Sequence, residues 1–551
     1  MATEGVLSKR PVALAFIAAL AFLPYINSFN NPFIWDDLHL ILNNPGIQGG
    51  LKSVFKAFSP AMWGMMADEE AFQSFYRPTH TILSIIDYEI WGLNPLGYHL
   101  SNAILHVIST VLIFFFAEKI GFDGATSFLS SAVFAVHPVH TESVSFISAR
   151  VDLLSSMFLL SSFLLYFASL GGSGDESGGG GGRKRALFYA ASLLSLLFAL
   201  LSKEMAITMP LLLAAYSLLM EERGGRGGRF KRVLPYFIVV SLYLLFRVFA
   251  VSSFMKLHTA RTDTVTLLFT ASTAVLDYVR LLVIPYPLKA YYTTVWHGSL
   301  DMKVVASFVL MASSLGFFIW LISSGRRKAS FAFLWTFIAL IPVLNIGSLG
   351  EFSMAERYLY IPSIGYSIFL ASVIASFMRR NAVSFRVFQA FTAVLLIVFA
   401  FLTVERNRVW ADEVTFYTAM ARGAPDSPLP HANLAYALDR HGDTGEGIEE
   451  MKRSINYARA NPILYNSLGS MYMKEKRFRE AVEALNAAVE LKPDYVTALN
   501  NLGISYAETG DLDRASLVFS RVLEIEPANR AALENMGRLQ GMRRGKRTGR
   551  R

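Results

Sequence analysis

Cysteine is absent from this chain of 551 residues, and charged residues are scarce, at 17%. Without cysteine the chain can form no disulfide, and it offers no thiol for catalysis or metal binding. The low charge is combined with 53% hydrophobic residues, which is too apolar for a water-soluble protein of this length. The composition therefore predicts an integral membrane protein, and the lack of cysteine fits a prokaryotic envelope.

The net charge of +9 would suggest a nucleic-acid partner in a soluble protein. In this chain the basic residues cluster in short loops between apolar runs. Such clusters mark the cytoplasmic ends of membrane spans. We therefore expect membrane lipids as partners and no nucleic acid.

Eleven apolar segments are long enough, or nearly long enough, to cross a membrane. The first has no small-x-small cleavage site after it, so we expect a retained span rather than a signal peptide. The predicted spans are 11–29, 99–118, 125–140, 151–170, 186–201, 205–221, 234–253, 303–323, 331–346, 358–378 and 387–404.

A twelfth apolar run, 264–285, is ambiguous because Asp277 and Arg280 lie in its middle. If it does not span, every basic loop falls on the cytoplasmic side, as the positive-inside rule requires. We therefore expect this run to lie along the outer face or to dip into it. The N-terminus is then cytoplasmic, and the C-terminal region is extracytoplasmic. The basic loops are 183–185, 223–232, 326–328 and 379–380.

The C-terminal region has a period of 34 residues, shown by Leu434, Leu468 and Leu502. Gly469 and Gly503 follow the second and third of these leucines. Small residues that let paired helices approach, followed by large residues that fill the gap, form the tetratricopeptide pattern. The chain is thus predicted to be all-α, with a polytopic helix bundle before a short α-solenoid.

This reading divides the chain into four regions. Residues 1–404 form the membrane domain with outer loops 30–97 and 254–302, 405–427 a linker, 428–541 about three repeats plus a capping helix, and 542–551 a basic disordered tail.

Two adjacent carboxylates, Asp36 and Asp37, follow the first span. Neighbouring carboxylates raise one another's pKa, so that one can act as a general base near neutral pH. Such a group can also hold a divalent cation or orient a sugar hydroxyl. The alternative is a solvated loop with an Asx turn leading into 43–45.

Histidines form two further groups. His99 and His106 lie on one polar stripe of a predicted span, which faces the bundle interior. His137, His140 and Glu142 lie on a short loop predicted to face the acidic pair. Their spacing matches no strong metal signature, so contacts to substrate, loop packing and metal binding all stay open.

Four cations lie at predicted outer span ends. Several cations around one cavity would suit the phosphate of a lipid-linked donor. The alternative is pairing with neighbouring carboxylates, among them Glu204 and Glu356. The four cations are Arg77, Lys203, Arg247 and Arg357.

Several motifs occur together in one order along the chain. They begin with Asp36-Asp37 and end with Glu356-Arg357-Tyr358, and the repeats follow. In this combination the chain resembles the transmembrane and tetratricopeptide repeat O-mannosyltransferase-like proteins, which are GT-C glycosyltransferases. The intervening motifs are Tyr76-Arg77-Pro78, Trp91-Gly92-Leu93-Asn94-Pro95, Tyr98-His99, His137-Pro138-Val139-His140-Thr141-Glu142 and Ser202-Lys203-Glu204.

The resemblance implies a GT-C-like bundle. It also implies inverting transfer of one sugar, mannose or a similar hexose, from a polyprenyl-phosphate donor to a protein Ser or Thr hydroxyl. Asp36 or Asp37 would be the base, the four cations would hold the donor phosphate, and the repeats would receive the acceptor protein or peptide. A requirement for Mg²⁺ or Mn²⁺ stays open. The implied polar residues of the substrate site are His99, His137, His140, Glu142, Glu204 and Glu356.

Two other functions compete with this one. A membrane-anchored scaffold would use the repeats to recruit a partner, but an anchor needs one span rather than eleven. A transporter, flippase or ligase for a lipid-linked glycan is the second. Transporters place polar residues near the membrane midplane and often contain internal repeats, and neither feature is evident in this sequence.

Overall fold

The computed structural model describes residues 10–59, 76–171, 181–221, 226–250, 263–344 and 354–548. Within these ranges every regular element is a helix, which confirms the all-α prediction. The chain divides into two compact units, Met1–Asp412 and Glu413–Arg551. Parts of the predicted outer loops, 60–75 and 254–262, lie outside the described residues.

The described part of the first unit is built from α-helices joined by 3-10 turns, a π-helical turn at Leu38–Leu42, and loops. The α-helices are α1 Arg10–Phe22, α2 Pro45–Gln48, α3 Pro78–Trp91, α4 Pro95–Lys119, α5 Gly124–Ala135, α6 Thr141–Ser145, α7 Arg150–Ser169, α8 Gly181–Ser202, α9 Met209–Met220, α10 Arg226–Ala250, α11 Thr264–Val283, α12 Met302–Ser323, α13 Arg327–Leu340, α14 Pro362–Met378 and α15 Ala382–Asn407.

Side-chain caps fix where many of these apolar helices begin. The first turn of a helix leaves N–H groups without partners inside the helix. Short Asn and Asp side chains accept hydrogen bonds from these groups at the starts of α4, α5, α11, α12 and α15. The capping residues are Asn94, Asp123, Asp263, Asp301 and Asn381.

Length and composition support a membrane bundle. Eight helices of the described chain are long and apolar enough to cross a membrane, and three shorter apolar helices accompany them. Each of the eleven predicted spans lies largely on a helix. The prediction of a polytopic membrane helix bundle is therefore confirmed, while the number of spans stays a prediction.

Two long helices expose apolar side chains along most of their length. On α12, Leu315 is 61% exposed, and on α15, Ile397 is 68% exposed. Water would not favour such surfaces, but lipid chains would, because the hydrocarbon interior of a membrane is as apolar as leucine. These helices thus form the lipid-facing rim, while α4, α5, α7 and α14 pack in the centre.

The helix α11 lies at the end of the bundle that carries Asp36 and Asp37, which we call the acidic end. Leu282, near the C-terminus of α11, hydrogen-bonds through its carbonyl to His137 at 2.9 Å. Asp277 pairs with Lys303 at the start of α12, at 2.7 Å. Both contacts lie at the acidic end, but α11 is also long and apolar enough to cross a membrane, so its placement along that face stays a prediction.

The second unit contains the repeats. Its helices are α16 Glu413–Gly423, α17 Pro428–His441, α18 Thr444–Tyr457, α19 Pro462–Lys474, α20 Phe478–Leu491, α21 Val496–Glu508, α22 Leu512–Ile525 and α23 Arg530–Thr548. From α17 onward, consecutive helices pair as α17 with α18, α19 with α20, and α21 with α22.

Close helix approach explains the repeated glycines. A Cβ atom at Gly469 would lie 2.5 Å from Leu485 Cγ, and one at Gly503 would lie 2.6 Å from Phe519 Cε1. Both distances are too short for real contacts. The pattern of small residues facing large ones, deduced from the 34-residue period, is thus present in the structure.

Both ends of the repeat unit differ from the sequence-based division. The predicted linker contains the helix α16, which is held by the buried side chains of Phe416 and Met420. At the other end, α23 continues to Thr548, through most of the segment predicted to be a disordered tail. The side chain of Arg543 holds this extension by donating to the carbonyl of Leu512 at 3.1 Å. Residues 549–551 lie outside the described chain.

Candidate functional site

The two adjacent carboxylates have different environments. Asp37 is buried, and its Oδ1 accepts hydrogen bonds from the Ser148 N–H, at 2.8 Å, and from the Ser148 hydroxyl. Its Oδ2 accepts from the N–H of Ile34 at 3.3 Å. Asp37 therefore ties the loop after the first span to the turn before α7. Burial raises the pKa of Asp37 to about 7, and the hydrogen bonds from Ser148 oppose this rise.

The carboxylate of Asp36 is partly exposed and accepts no hydrogen bond from any residue that the structure describes. Burial raises the pKa of Asp36 above its usual value, and the positive charge of Arg357 is the largest opposing influence. Asp36 is thus a carboxylate whose oxygens are available to a ligand.

The backbone next to Asp36 is strained. Trp35 has a φ of 54°, in the left-handed region that a bulky residue rarely adopts. Its ring stacks on Phe146 with 5.4 Å between ring centroids, and Phe146 stacks in turn on Trp410. Strain of this kind persists where the surroundings hold it, and it is frequent at functional sites.

The cation that acts most strongly on Asp36 is Arg357. Its guanidinium forms an ion pair with Glu142, and its backbone N–H donates to the same carboxylate at 3.0 Å. The guanidinium carbon lies 5.9 Å from the centre of the Trp35 ring. Burial alone would lower the pKa of Arg357, but Glu142 and the surrounding groups raise it overall, so this residue stays charged.

The remaining predicted cations join two ion-pair groups. Lys203 Nζ lies 2.5 Å from Asp152 Oδ1, and both side chains are almost fully buried. Arg77 and Arg247 lie on either side of Glu204, at 3.1 Å and 3.6 Å from its oxygens. Glu204 thus links the two arginines.

These groups belong to one electrostatic cluster. The charges of Arg357 and Arg77 act on Asp36, and they also act on Asp152. Lys203 in turn acts on Glu204. The structure therefore brings the four predicted cations together with Asp36 at the acidic end, which the sequence could only suggest.

The predicted histidines form hydrogen bonds with neighbouring segments of the bundle, and their role at a substrate site stays a prediction. His99 Nε2 lies 3.1 Å from the carbonyl oxygen of Asn31, and His137 bonds to the carbonyl of Leu282. His140 Nε2 lies 2.8 Å from Ser363 Oγ. Each ring joins two separate segments near the acidic end. Across the described residues, no group of three or more His, Asp or Glu side chains is arranged to hold a metal ion.

The carboxylate of Glu356 is fully buried and well bonded. Its oxygens lie 3.2 Å from Arg406, and Oε1 accepts from the Tyr292 hydroxyl at 2.8 Å and from the Lys289 N–H at 2.7 Å. Burial raises the pKa of Glu356 to about 7, against the influence of Arg406. Glu356 thus anchors the loop 286–292 beside Arg357.

Two residues of this region were not singled out from the sequence. Arg406 follows the last predicted span, and in the sequence it resembles the basic residues that commonly flank membrane spans. Asp87 lies 2.5 Å from Arg150, and both are buried. A charged residue within an apolar segment indicates a buried ion pair, because such a charge needs a partner. The partner itself could not be read from the sequence.

Comparison with known proteins confirms the predicted resemblance. A TPR repeat model matches residues 469–510, and a tetratricopeptide repeat model matches residues 496–529. The chain is 26% identical to protein O-mannosyl-transferase F38B6.6 of Caenorhabditis elegans, over 82% of this chain and 63% of that protein. It is 24% identical to protein O-mannosyl-transferase TMTC3 of Homo sapiens, over 94% of this chain and 60% of that protein.

The chain thus spans about three fifths of the length of these relatives. A crystal structure of the Archaeoglobus fulgidus oligosaccharyltransferase, tethered with an acceptor peptide, is 14% identical and has a TM-score of 0.45. It covers 77% of this chain and 58% of that chain, and a likeness at this level supports no conclusion. The predicted orientation and prokaryotic membrane stay predictions.

Proposed function

We propose that this chain is a GT-C glycosyltransferase of the membrane. It transfers a sugar, mannose or a similar hexose, from a polyprenyl-phosphate donor to a Ser or Thr hydroxyl of a protein on the extracytoplasmic side. The observation that carries this proposal is the carboxylate of Asp36, available to a ligand beside a cluster of cations. The named O-mannosyl-transferases that it resembles support the reaction class.

Within the acidic pair, Asp36 is the base and Asp37 positions it. A general base must come within hydrogen-bond distance of the proton that it removes. Both oxygens of Asp37 already accept hydrogen bonds from Ile34 and Ser148, whereas those of Asp36 accept none from the described chain. A pKa above the usual aspartate value also makes Asp36 a stronger base.

The proposed reaction is a single displacement. As Asp36 takes the proton of the acceptor hydroxyl, the hydroxyl oxygen attacks the anomeric carbon from the face opposite the phosphate. The bond from that carbon to the phosphate oxygen breaks, its electron pair stays on the oxygen, and the sugar is transferred with inversion. Polyprenyl phosphate leaves with an additional negative charge.

The cations stabilise the negative charge that develops on the leaving phosphate. Arg77 and Arg247 are both held by Glu204, which fixes two guanidinium groups where they can attract a phosphate. Arg357 is paired with Glu142 and is placed next to Asp36. Cations fixed in position before the reaction stabilise developing negative charge without reorganising, which is usually the largest single contribution to catalysis.

The repeat unit has the role of binding the acceptor protein in this proposal. Asn466 and Asn500 occupy the same position in consecutive repeats, 34 residues apart. Asn501 donates to Asn466 at 3.1 Å, and the side-chain oxygen of Asn500 is buried and accepts no hydrogen bond within the described chain. Side-chain amides both donate and accept hydrogen bonds, and so does the backbone of an extended peptide. These asparagines are therefore suited to binding an extended acceptor segment.

The proposal is tested by transfer from radiolabelled polyprenyl-phosphate sugars to envelope protein, using the full chain in lipid nanodiscs. We expect label from one hexose donor to enter a product that protease degrades. Label in a lipid or glycan that protease leaves intact would show a ligase instead. No transfer from any polyprenyl-phosphate sugar would overturn the assignment to this donor class.

A further inference from the structure

A second charged cavity lies at the end of the bundle opposite the acidic end. Its volume is about 810 Å³. It borders residues 121–123, which follow the C-terminus of α4, whereas His99 near the start of α4 lies at the acidic end. A helix of this length separates its two ends by roughly 35 Å. We call the residues around this cavity the basic end.

The lining of the cavity is strongly positive. Among the residues that the structure describes, four cations and one carboxylate, that of Asp123, line the cavity, which gives these residues a formal excess of three positive charges. Asp123 is paired with Arg379 at 3.2 Å. The cations are Arg326, Arg327, Lys328 and Arg379.

Two of these cations, Arg326 and Lys328, contact uncharged groups beside the cavity. The guanidinium carbon of Arg326 lies 4.8 Å from the centre of the Trp320 ring, and Lys328 donates to the carbonyl of Gly121. Neither contact involves a negative charge. Two helices, α5 and α13, also begin at this cavity, and helix N-termini favour anions.

The other wall of the cavity is apolar. It is formed by Phe317 and Leu321 on α12 and by Phe369 and Val373 on α14. The helix α12 is one of the two that expose apolar side chains as a lipid-facing rim does. A cavity with a basic lining on one side and an apolar wall continuing toward lipid matches an amphiphile with an anionic head.

We propose that the basic end binds the phosphate headgroup of an anionic membrane lipid, whose chains lie against α12 and α14. Basic pockets between membrane helices are suited to such headgroups. The same chemistry is offered by an anionic glycerophospholipid and by a polyprenyl phosphate. The site is separate from the acidic end, and its occupancy does not depend on the proposed sugar transfer.

The test is native mass spectrometry of the full chain, purified in detergent with equal amounts of phosphatidylglycerol, phosphatidylcholine and a polyprenyl phosphate. We expect one tightly held anionic lipid per chain and little phosphatidylcholine. The triple variant Arg326→Gln/Lys328→Gln/Arg379→Gln should retain the anionic lipid at least about tenfold less, since each cation near an anionic headgroup contributes substantially.

The matched control is Arg183→Gln/Lys184→Gln/Arg380→Gln. These three basic residues are exposed, do not line the cavity and lie at the same end of the bundle. The control should retain the lipid as the unaltered chain does. If the triple variant is poorly folded, the single variant Arg326→Gln and the competition between lipids on the unaltered chain still decide the matter.

The retained species identifies the source of the phosphate. Preferential retention of phosphatidylglycerol would assign a glycerophospholipid to the basic end, and preferential retention of the polyprenyl phosphate would assign a carrier lipid. Equal retention of phosphatidylcholine and the anionic lipids would overturn the proposal. So would full retention of anionic lipid by a folded triple variant.

Discussion

At the scale of single residues, two identical neighbouring side chains differ in their hydrogen bonds because the backbone places them in different surroundings. Asp36 and Asp37 are neighbours, yet only Asp37 receives hydrogen bonds from Ser148 and Ile34. The strained backbone of Trp35 lies directly before them. Sequence reasoning identified the acidic pair but could not divide its roles, because that division depends on contacts with a loop more than a hundred residues away.

A first prediction concerns Glu356, whose pKa burial raises to about 7 from 4.5. Between these values the folded state holds a proton that the unfolded state releases, so stability falls as pH rises from about 4.5 to about 7. The variant Glu356→Gln cannot titrate. We expect its unfolding midpoint to depend less on pH across this window.

Thermal unfolding of both proteins between pH 4.5 and pH 7 measures this difference. Gln keeps an oxygen that can accept from Tyr292 and Lys289, so the variant should still fold. If both proteins show the same slope of midpoint against pH, Glu356 is already ionised throughout the window, and the argument from burial is wrong.

At the scale of elements, α11 shows what pattern analysis can and cannot decide. Its length and composition suit a span, and its contacts with His137 and Lys303 place it at the acidic end. Positive-inside counting favoured the same placement from the sequence. Hydropathy and length favour a further span instead, so the placement of α11 along the outer face stays a prediction.

Because the chain has no cysteine, single introduced cysteines can locate α11 without background. We expect Val265→Cys and Val283→Cys, both exposed at opposite ends of the helix, to react with an impermeant maleimide from the same side. Ser324→Cys, between α12 and α13, should react only from the other side. Labelling of positions 265 and 283 from opposite sides would make α11 a span.

The repeat helices allow a sharp packing prediction. Gly503→Ala places a methyl group 2.6 Å from a ring carbon of Phe519, so we expect it to destabilise residues 405–551 by about 1–3 kcal/mol. Gly537→Ala meets no atom within 4 Å and lies in a helix, so it should leave stability unchanged or raise it by up to about 1 kcal/mol.

Urea unfolding of the isolated fragment, followed by circular dichroism, compares the two variants. The fragment should fold alone, since the repeat unit has its own buried core. Equal loss of stability in both variants would mean that close helix approach at Gly503 does not limit the packing.

At the scale of the whole molecule, the helices and the repeats could be predicted from the sequence, but the ion-pair partners of the charged residues could not. Apolar runs located the helices of the bundle, and a fixed period located the repeats, because both are repeated many times along the chain. The cations were found as candidates. Their partners could not be named, because pairs such as Arg357 with Glu142 join segments far apart in sequence.

Buried histidines illustrate the same limit. His137 and His140 suggested metal or substrate, but the structure gives them neighbouring carbonyl and hydroxyl groups. In a bundle with few polar groups, a buried ring that joins two segments is as useful as one that binds a ligand. Sequence cannot separate these roles, since both need a polar residue facing the interior.

The role of Asp36 as the base is tested by comparing Asp36→Asn with Asp37→Asn in the sugar-transfer assay, with the thermal unfolding of each protein measured in parallel. Asp36→Asn should reduce transfer by at least about a hundredfold, the usual contribution of a general base, with an unchanged unfolding midpoint. Asp37→Asn should lower the midpoint, because an amide cannot accept all the hydrogen bonds that the carboxylate accepts. Transfer by Asp36→Asn at the rate of the unaltered chain would contradict the account and place the base elsewhere.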